Sequence, residues 1–96
     1  MAVPETAGED IGMRRRRLRY RAWHRGTREM DLVLGPYVDR HVDGLDPERL
    51  ARLETLMAEE DTDLLAWVLG QTAIPAEIDA ALVAELTAFR RAGFGR

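Results

Sequence analysis

Apolar side chains recur at helical spacing along most of this chain, and nowhere do apolar and polar residues alternate over the length of a strand. Leu18 and Ala22, with Tyr20 and Trp23 beside them, predict a short first helix over 14–24. Met30, Val33, Leu34, Tyr37, Val38 and His41 fall along one face of a second, over 27–41. Pro36 lies inside that segment. It has no amide to donate and its ring crowds the carbonyl of Leu32, so the pattern predicts an abrupt change of direction at Gly35-Pro36, which Gly35 would ease. Asp46-Pro47-Glu48 predicts a helix start. Asp46 suits the cap, Pro47 the first helical position and Glu48 the positive end of the helix. Leu50, Leu53 and Met57 give that third helix its buried face. Glu59-Glu60-Asp61 marks a turn, with Asp61 or Thr62 capping a fourth helix through Leu69 and Gly70 closing it. Ile78, Leu82, Leu86 and Phe89 predict a fifth amphipathic helix that begins near Pro75 to Glu77. The expectation is an all-α fold, a compact bundle of about five short helices. Residues 1–12 are expected to form a disordered tail, 13–92 a single helical domain and 93–96 a C-terminal tail.

A 96-residue chain buries roughly 60% of the surface its unfolded form exposes. That supports one core but not a core plus a deep enclosed active site. The residue types that are missing narrow the chemistry further. The sequence contains no Ser, Cys, Lys or Asn. A Ser or Cys nucleophile, a Schiff-base lysine and a phosphate-binding P-loop are therefore excluded, and so are disulfides and thiolate metal sites. His24 and His41 are too far apart in sequence, with no other ligand pattern, to suggest a metal centre. No apolar run approaches the roughly 18 residues of a membrane span, and the acidic first twelve residues resemble neither a secretory signal nor a mitochondrial presequence. The missing Cys fits a reducing compartment.

The formal net charge of −3 hides an asymmetry. Residues 13–28 carry Arg14, Arg15, Arg16, Arg17, Arg19, Arg21, Arg25 and Arg28 with no acid, whereas fourteen acids and six arginines occupy residues 29–96. A basic end on an acidic body favours an oriented encounter with a partner. The run from Arg14 to Arg21 reads as a solvated face. Trp67, on an apolar helix, reads as core. The acids Glu59, Glu60, Asp61 and Asp63 lack the ligand spacing and central glycine of a calcium loop and read as a solvated, helix-capping turn.

One local feature is sharper. The run Trp23-His24-Arg25-Gly26-Thr27-Arg28-Glu29-Met30-Asp31-Leu32 holds an Arg-Gly-x-x-Glu box between the basic stretch and an apolar helix. Gly26 sits where a helix can begin. Glu29 has the spacing at which a side chain reaches back to a free amide of the first turn, and Arg25 is expected to point outward beside it.

With Met30-Asp31-Leu32-Val33-Leu34-Gly35 after the box, Leu50 to Met57, and the Asp-led, Trp-bearing run Asp61 to Gly70, the chain resembles the succinate dehydrogenase assembly factors (SdhE-like) over roughly residues 14–90. The resemblance implies a small bacterial helical chaperone, cytoplasmic and monomeric, and not an enzyme. Such a protein binds the flavoprotein subunit of succinate dehydrogenase, with fumarate reductase as a second candidate client, and promotes covalent attachment of FAD to that subunit's own histidine. It implies no cofactor of the chain's own, since FAD is carried by the partner, and neither nucleic acid nor membrane as partner. It implies a partner-binding surface at His24, Arg25, Gly26, Arg28, Glu29 and Asp31. The alternative reading is a nucleic-acid-binding or antitoxin-like regulatory module that uses the Arg-rich first helix.

Overall fold

The computed structural model describes residues 10–93. Five α-helices follow one another there: α1 Ile11–Trp23, α2 Arg28–His41, α3 Pro47–Met57, α4 Asp61–Val68 and α5 Ala80–Arg91. A 3-10 turn, Val42–Gly44, leads from α2 towards α3. No strand occurs among the described residues. The chain has the all-α bundle architecture that the periodicity predicts.

The helix starts follow local chemistry. The side chains of Asp10, Thr27, Asp46 and Asp79 accept backbone N–H bonds from Gly12, Met30, Arg49 and Leu82, each satisfying a donor that has no partner within its helix. Pro47 takes the first position of α3. Beyond α4, Gly70 adopts φ 71°, the left-handed conformation that ends helices and favours glycine.

Helix α2 lies at the centre, against α1, α4 and α5. Met30, Val33, Leu34, Tyr37 and Val38 are buried along it. Leu18 and Ala22 of α1, Leu50, Leu53, Leu56 and Met57 of α3, Leu64, Trp67 and Val68 of α4, and Leu82, Val83, Leu86 and Phe89 of α5 complete one core. Tyr37 sits edge-on to Phe89 at 5.4 Å between ring centres and beside His41 at 4.5 Å. Its hydroxyl donates to Glu85 at 2.8 Å. Burial, and then that hydrogen bond, push the phenol well above its ordinary pKa, so Tyr37 stays neutral.

Four expectations need correction. Helix α2 runs without interruption through Pro36. A proline costs one amide bond, and burial of the helix face on both sides of it outweighs that loss. Gly35 serves packing: a Cβ there would collide with the indole of Trp23, so the missing side chain is what lets α1 lie this close to α2. The helical domain begins earlier than 13, because Asp10 caps α1 and Ile11 and Gly12 are helical; the rest of the proposed tail, 1–9, and residues 94–96 lie outside the described residues. Asp61 is the first helical residue of α4 and not its cap, which is Glu60. Finally, α5 starts at Ala80 behind the Asp79 cap, after a turn in which the Ile78 amide bonds the Pro75 carbonyl at 3.1 Å.

The arginine run is only partly a solvated face. Arg14 is buried and donates to Glu54 on α3 at 2.6 and 3.3 Å, and that bond pushes its already high pKa higher. Arg15 donates to the carbonyls of Val42 and Leu45 at 3.1 and 2.9 Å. Arg19 pairs with Asp43 at 2.9 Å. These contacts tie α1 to α3 and to the turn behind α2.

Candidate functional site

The Arg-Gly-x-x-Glu box forms the corner between α1 and α2. Helix α1 ends at Trp23, and Thr27 is extended (φ −133°, ψ 151°) as it caps α2. Between them, Arg25 and Gly26 carry no helical bonds, so their polar groups need other partners. They find them on distant parts of the chain.

Arg25 points inward, contrary to the expectation that it is free at the surface. Its side chain is 10% exposed. Nε and one terminal nitrogen each lie 2.7 Å from Oδ1 of Asp61. The other terminal nitrogen donates to the Met57 carbonyl at 2.7 Å, and the guanidinium also reaches the Glu59 carbonyl at 3.2 Å. Those carbonyls lie at the C-terminal end of α3, where helices leave acceptors unsatisfied and favour a cation. The second oxygen of Asp61 accepts the Gly26 N–H at 2.6 Å. The Arg25 N–H in turn donates to Asp31 at 2.7 Å. One guanidinium and two carboxylates thus join the end of α1, the start of α2, the end of α3 and the start of α4.

Gly26 leaves room for this. A Cβ there would stand 3.3 Å from the Asp61 carboxylate, with no other atom within 4 Å. Asp61 corrects the reading of the acid cluster as a solvated turn, since its side chain is only 18% exposed. The expected reach of Glu29 back to a first-turn amide also gives way: the Gly26 N–H goes to Asp61, and the Met30 N–H donates to the Thr27 hydroxyl oxygen at 3.3 Å.

The outer edge of the corner faces solvent. His24, Gly26, Thr27, Arg28 and Glu29 are all exposed, whereas Asp31 is half-buried. His24 stacks on Tyr20 with ring centres 3.9 Å apart and donates from Nδ1 to the Tyr20 carbonyl at 2.6 Å. Tyr20, at 62% exposed, and Trp23 extend an aromatic strip along α1, with the Trp23 indole N–H donating to Asp39 at 3.0 Å. On one side of the box an open hollow of about 590 Å³ runs between Tyr20, His24, Gly26 and the Glu59–Thr62 turn. On the other, beside Glu29, a groove of about 640 Å³ is floored by Leu32, Val33, Leu65 and Leu69 and ends at Arg90 and Arg91.

Of the six residues expected at a partner surface, the structure brings all into one corner but divides them. His24, Gly26, Arg28 and Glu29 are available to an incoming molecule, while Arg25 and Asp31 are engaged inside the protein. Sequence reasoning missed the joint role of Asp61. The separation of thirty-six positions from Arg25 gives no local signal, and a first-turn acid reads equally well as a cap. This surface offers shape, charge and hydrogen bonding, and holds no Ser, Cys or Lys. Among the described residues there is no cluster of three or more metal-ligating side chains and no helix long and apolar enough to cross a membrane.

The profile of a protein family described as the flavinator of succinate dehydrogenase, Sdh5, matches residues 16–90. The chain is 37% identical over 71 residues to the FAD assembly factor SdhE of Acetobacter pasteurianus, covering 74% of this chain and 65% of that protein. It is 37% identical over 68 residues to the FAD assembly factor SdhE of Idiomarina loihiensis, covering 71% and 74%. Similarity extends to the mitochondrial succinate dehydrogenase assembly factor 2 of Debaryomyces hansenii, at 35% over 63 residues, 66% of this chain and 44% of that one. These relatives are named as assembly factors and not as enzymes.

Proposed function

The chain belongs to the family of succinate dehydrogenase flavinators, and from that premise we propose that it binds the flavoprotein subunit of succinate dehydrogenase and promotes covalent attachment of FAD to it. FAD in this reading is carried by the partner and joined to the partner's own histidine. The chain supplies a rigid docking edge from His24 to Glu29, acting in the cytoplasm as a monomer. The observation that carries the proposal is the division of the box. Arg25 and Asp31 fix the corner from inside, which leaves Gly26, Arg28 and Glu29 exposed at its rim. A preformed edge pays little ordering entropy on docking. Flavin attachment then depends on the conformation in which the partner is held, which agrees with a chain that has no Ser, Cys or Lys.

Support for a nucleic-acid-binding role is weaker. Arg14, Arg15 and Arg19 of the basic run bond to Glu54, to the Val42 and Leu45 carbonyls and to Asp43, which reduces the charge the run can present to phosphates.

The test is complementation. Cells lacking their own assembly factor are given this chain, and covalent flavin is read as fluorescence on the denatured flavoprotein subunit. Restored fluorescence is expected. A well-expressed, folded chain that restores none would reject the proposal.

A further inference from the structure

The Arg-Gly-x-x-Glu box is complete only with a residue thirty-six positions away. We propose that Asp61 is the positioning residue of the docking edge: its carboxylate holds Arg25 and Gly26 in place, and Arg25 acts through that clamp and not by touching the partner. The inference rests on the docking reading above.

Both oxygens of Asp61 are used. Oδ1 accepts from Nε of Arg25 at 2.7 Å and lies 2.7 Å from a terminal guanidinium nitrogen, and Oδ2 accepts the Gly26 N–H at 2.6 Å. The last bond connects Asp61 directly to the backbone of the exposed edge. Thr27 and Glu29 follow Gly26 within one turn, so the path of Gly26 sets where the Glu29 carboxylate stands. Charge-assisted bonds at these lengths are strong, and the two side chains are only 10% and 18% exposed. Two further donors of Arg25 go to the Met57 and Glu59 carbonyls. With all three guanidinium nitrogens bonded inside the protein and only 10% of its side chain exposed, Arg25 could present its full fork to a partner only by dismantling the corner. A lysine at 25 would bring one point charge in place of this planar fork.

Asp61→Asn keeps the size of the side chain and removes the charge. Its amide group must face either Arg25 or the Gly26 N–H, and each of these is a donor, so one of the bonds is lost. Three measurements on purified variants test the inference: far-UV circular dichroism for folding, hydrogen exchange of the Gly26 amide, and the Kd for the purified flavoprotein subunit. For Asp61→Asn the expected results are an unchanged helical spectrum, faster exchange at Gly26 and binding weakened by about tenfold or more, the scale of one charged hydrogen bond. Asp63→Asn, at an exposed position on the same turn, should behave like the wild type. Adding Arg25→Ala to Asp61→Asn should weaken binding no further, because both changes break one clamp.

The outcomes separate the two readings. If Glu29→Ala weakens binding while Asp61→Asn is folded, exchanges freely at Gly26 and binds like the wild type, docking stands and the clamp falls. A lower melting temperature with unchanged Kd would mean that Asp61 is merely structural. Further loss in the double variant, with exchange at Gly26 no faster than in Asp61→Asn, would mean that Arg25 touches the partner, which also overturns the inference. If the wild-type chain itself does not bind the subunit, the docking reading falls and the inference with it.

Discussion

Replacing Gly35 by alanine inverts the usual rule for a helix interior. Alanine favours a helix by about 0.8–1.0 kcal/mol over glycine, so on an open face Gly35→Ala would stabilise α2. Here the added Cβ would collide with the indole of Trp23. Forcing an extra carbon into packed surroundings costs about 1–3 kcal/mol, and a contact this close belongs at the upper end. The alternative is for the indole to swing away. Trp23 is 37% exposed, so nearly two-thirds of its surface is covered. At about 25 cal/mol per Å², uncovering on the order of 100 Å² of a tryptophan costs about 2.5 kcal/mol, and its hydrogen bond to Asp39 goes too. By either route, the net expectation after the propensity gain is a loss of about 2 kcal/mol. For a domain of this size that corresponds to a fall in melting temperature of roughly 8–16 °C. Thermal and urea denaturation followed by circular dichroism measure it. An unchanged or raised stability would refute the argument that Gly35 is there to admit Trp23. Recovery of stability in Gly35→Ala/Trp23→Ala, relative to Trp23→Ala alone, would confirm it.

Other predictions follow from the same contacts. Arg14→Ala should destabilise the domain by about 1.5–3 kcal/mol, because it leaves Glu54 without its charged partner, whereas Arg16→Ala on the exposed side of α1 should stay within about 0.5 kcal/mol; equal urea midpoints would contradict the distinction. The hydrogen bond from Arg52, with the backbone bond from Leu82, holds the Asp79 carboxyl below its ordinary value against the opposing effect of desolvation. A lowered carboxyl contributes stability that is fully present above its unfolded pKa of about 3.9 and is lost as pH falls through the folded value. Below about pH 4 the wild type should therefore lose more stability than Asp79→Asn, and parallel pH profiles for the two would show that the Arg52 pair contributes nothing.

Much of the fold is legible in local sequence. The spacing of Leu50, Leu53 and Met57 and the Asp46-Pro47-Glu48 start are short-range signals, and α3 begins and buries its face where they indicate. Pro36 misleads because its cost is local while its compensation is tertiary: Val33, Leu34, Tyr37 and Val38 are buried against other helices, and no neighbour in sequence reveals that. The box is legible as a corner with an exposed rim, since Thr27 and the apolar stripe from Met30 mark where α2 begins. The fate of Arg25 is not. An arginine before a glycine gives no indication that the carbonyls of Met57 and Glu59 and the carboxylate of Asp61 will converge on it. Arg14 and Arg16 are equally indistinguishable in a run of four arginines, although one is buried and the other exposed.

The central claim is that the exposed rim of the box is the surface that promotes flavin attachment. Glu29→Ala tests it most directly. The side chain is exposed, and losing a first-turn acid costs only about 0.3–1 kcal/mol of stability, so the variant should remain folded and well expressed. In cells lacking this protein, the variant should fail to restore flavin fluorescence on the denatured flavoprotein subunit, while Arg16→Ala restores it as the wild type does. Normal flavin attachment with stable Glu29→Ala protein would contradict the account.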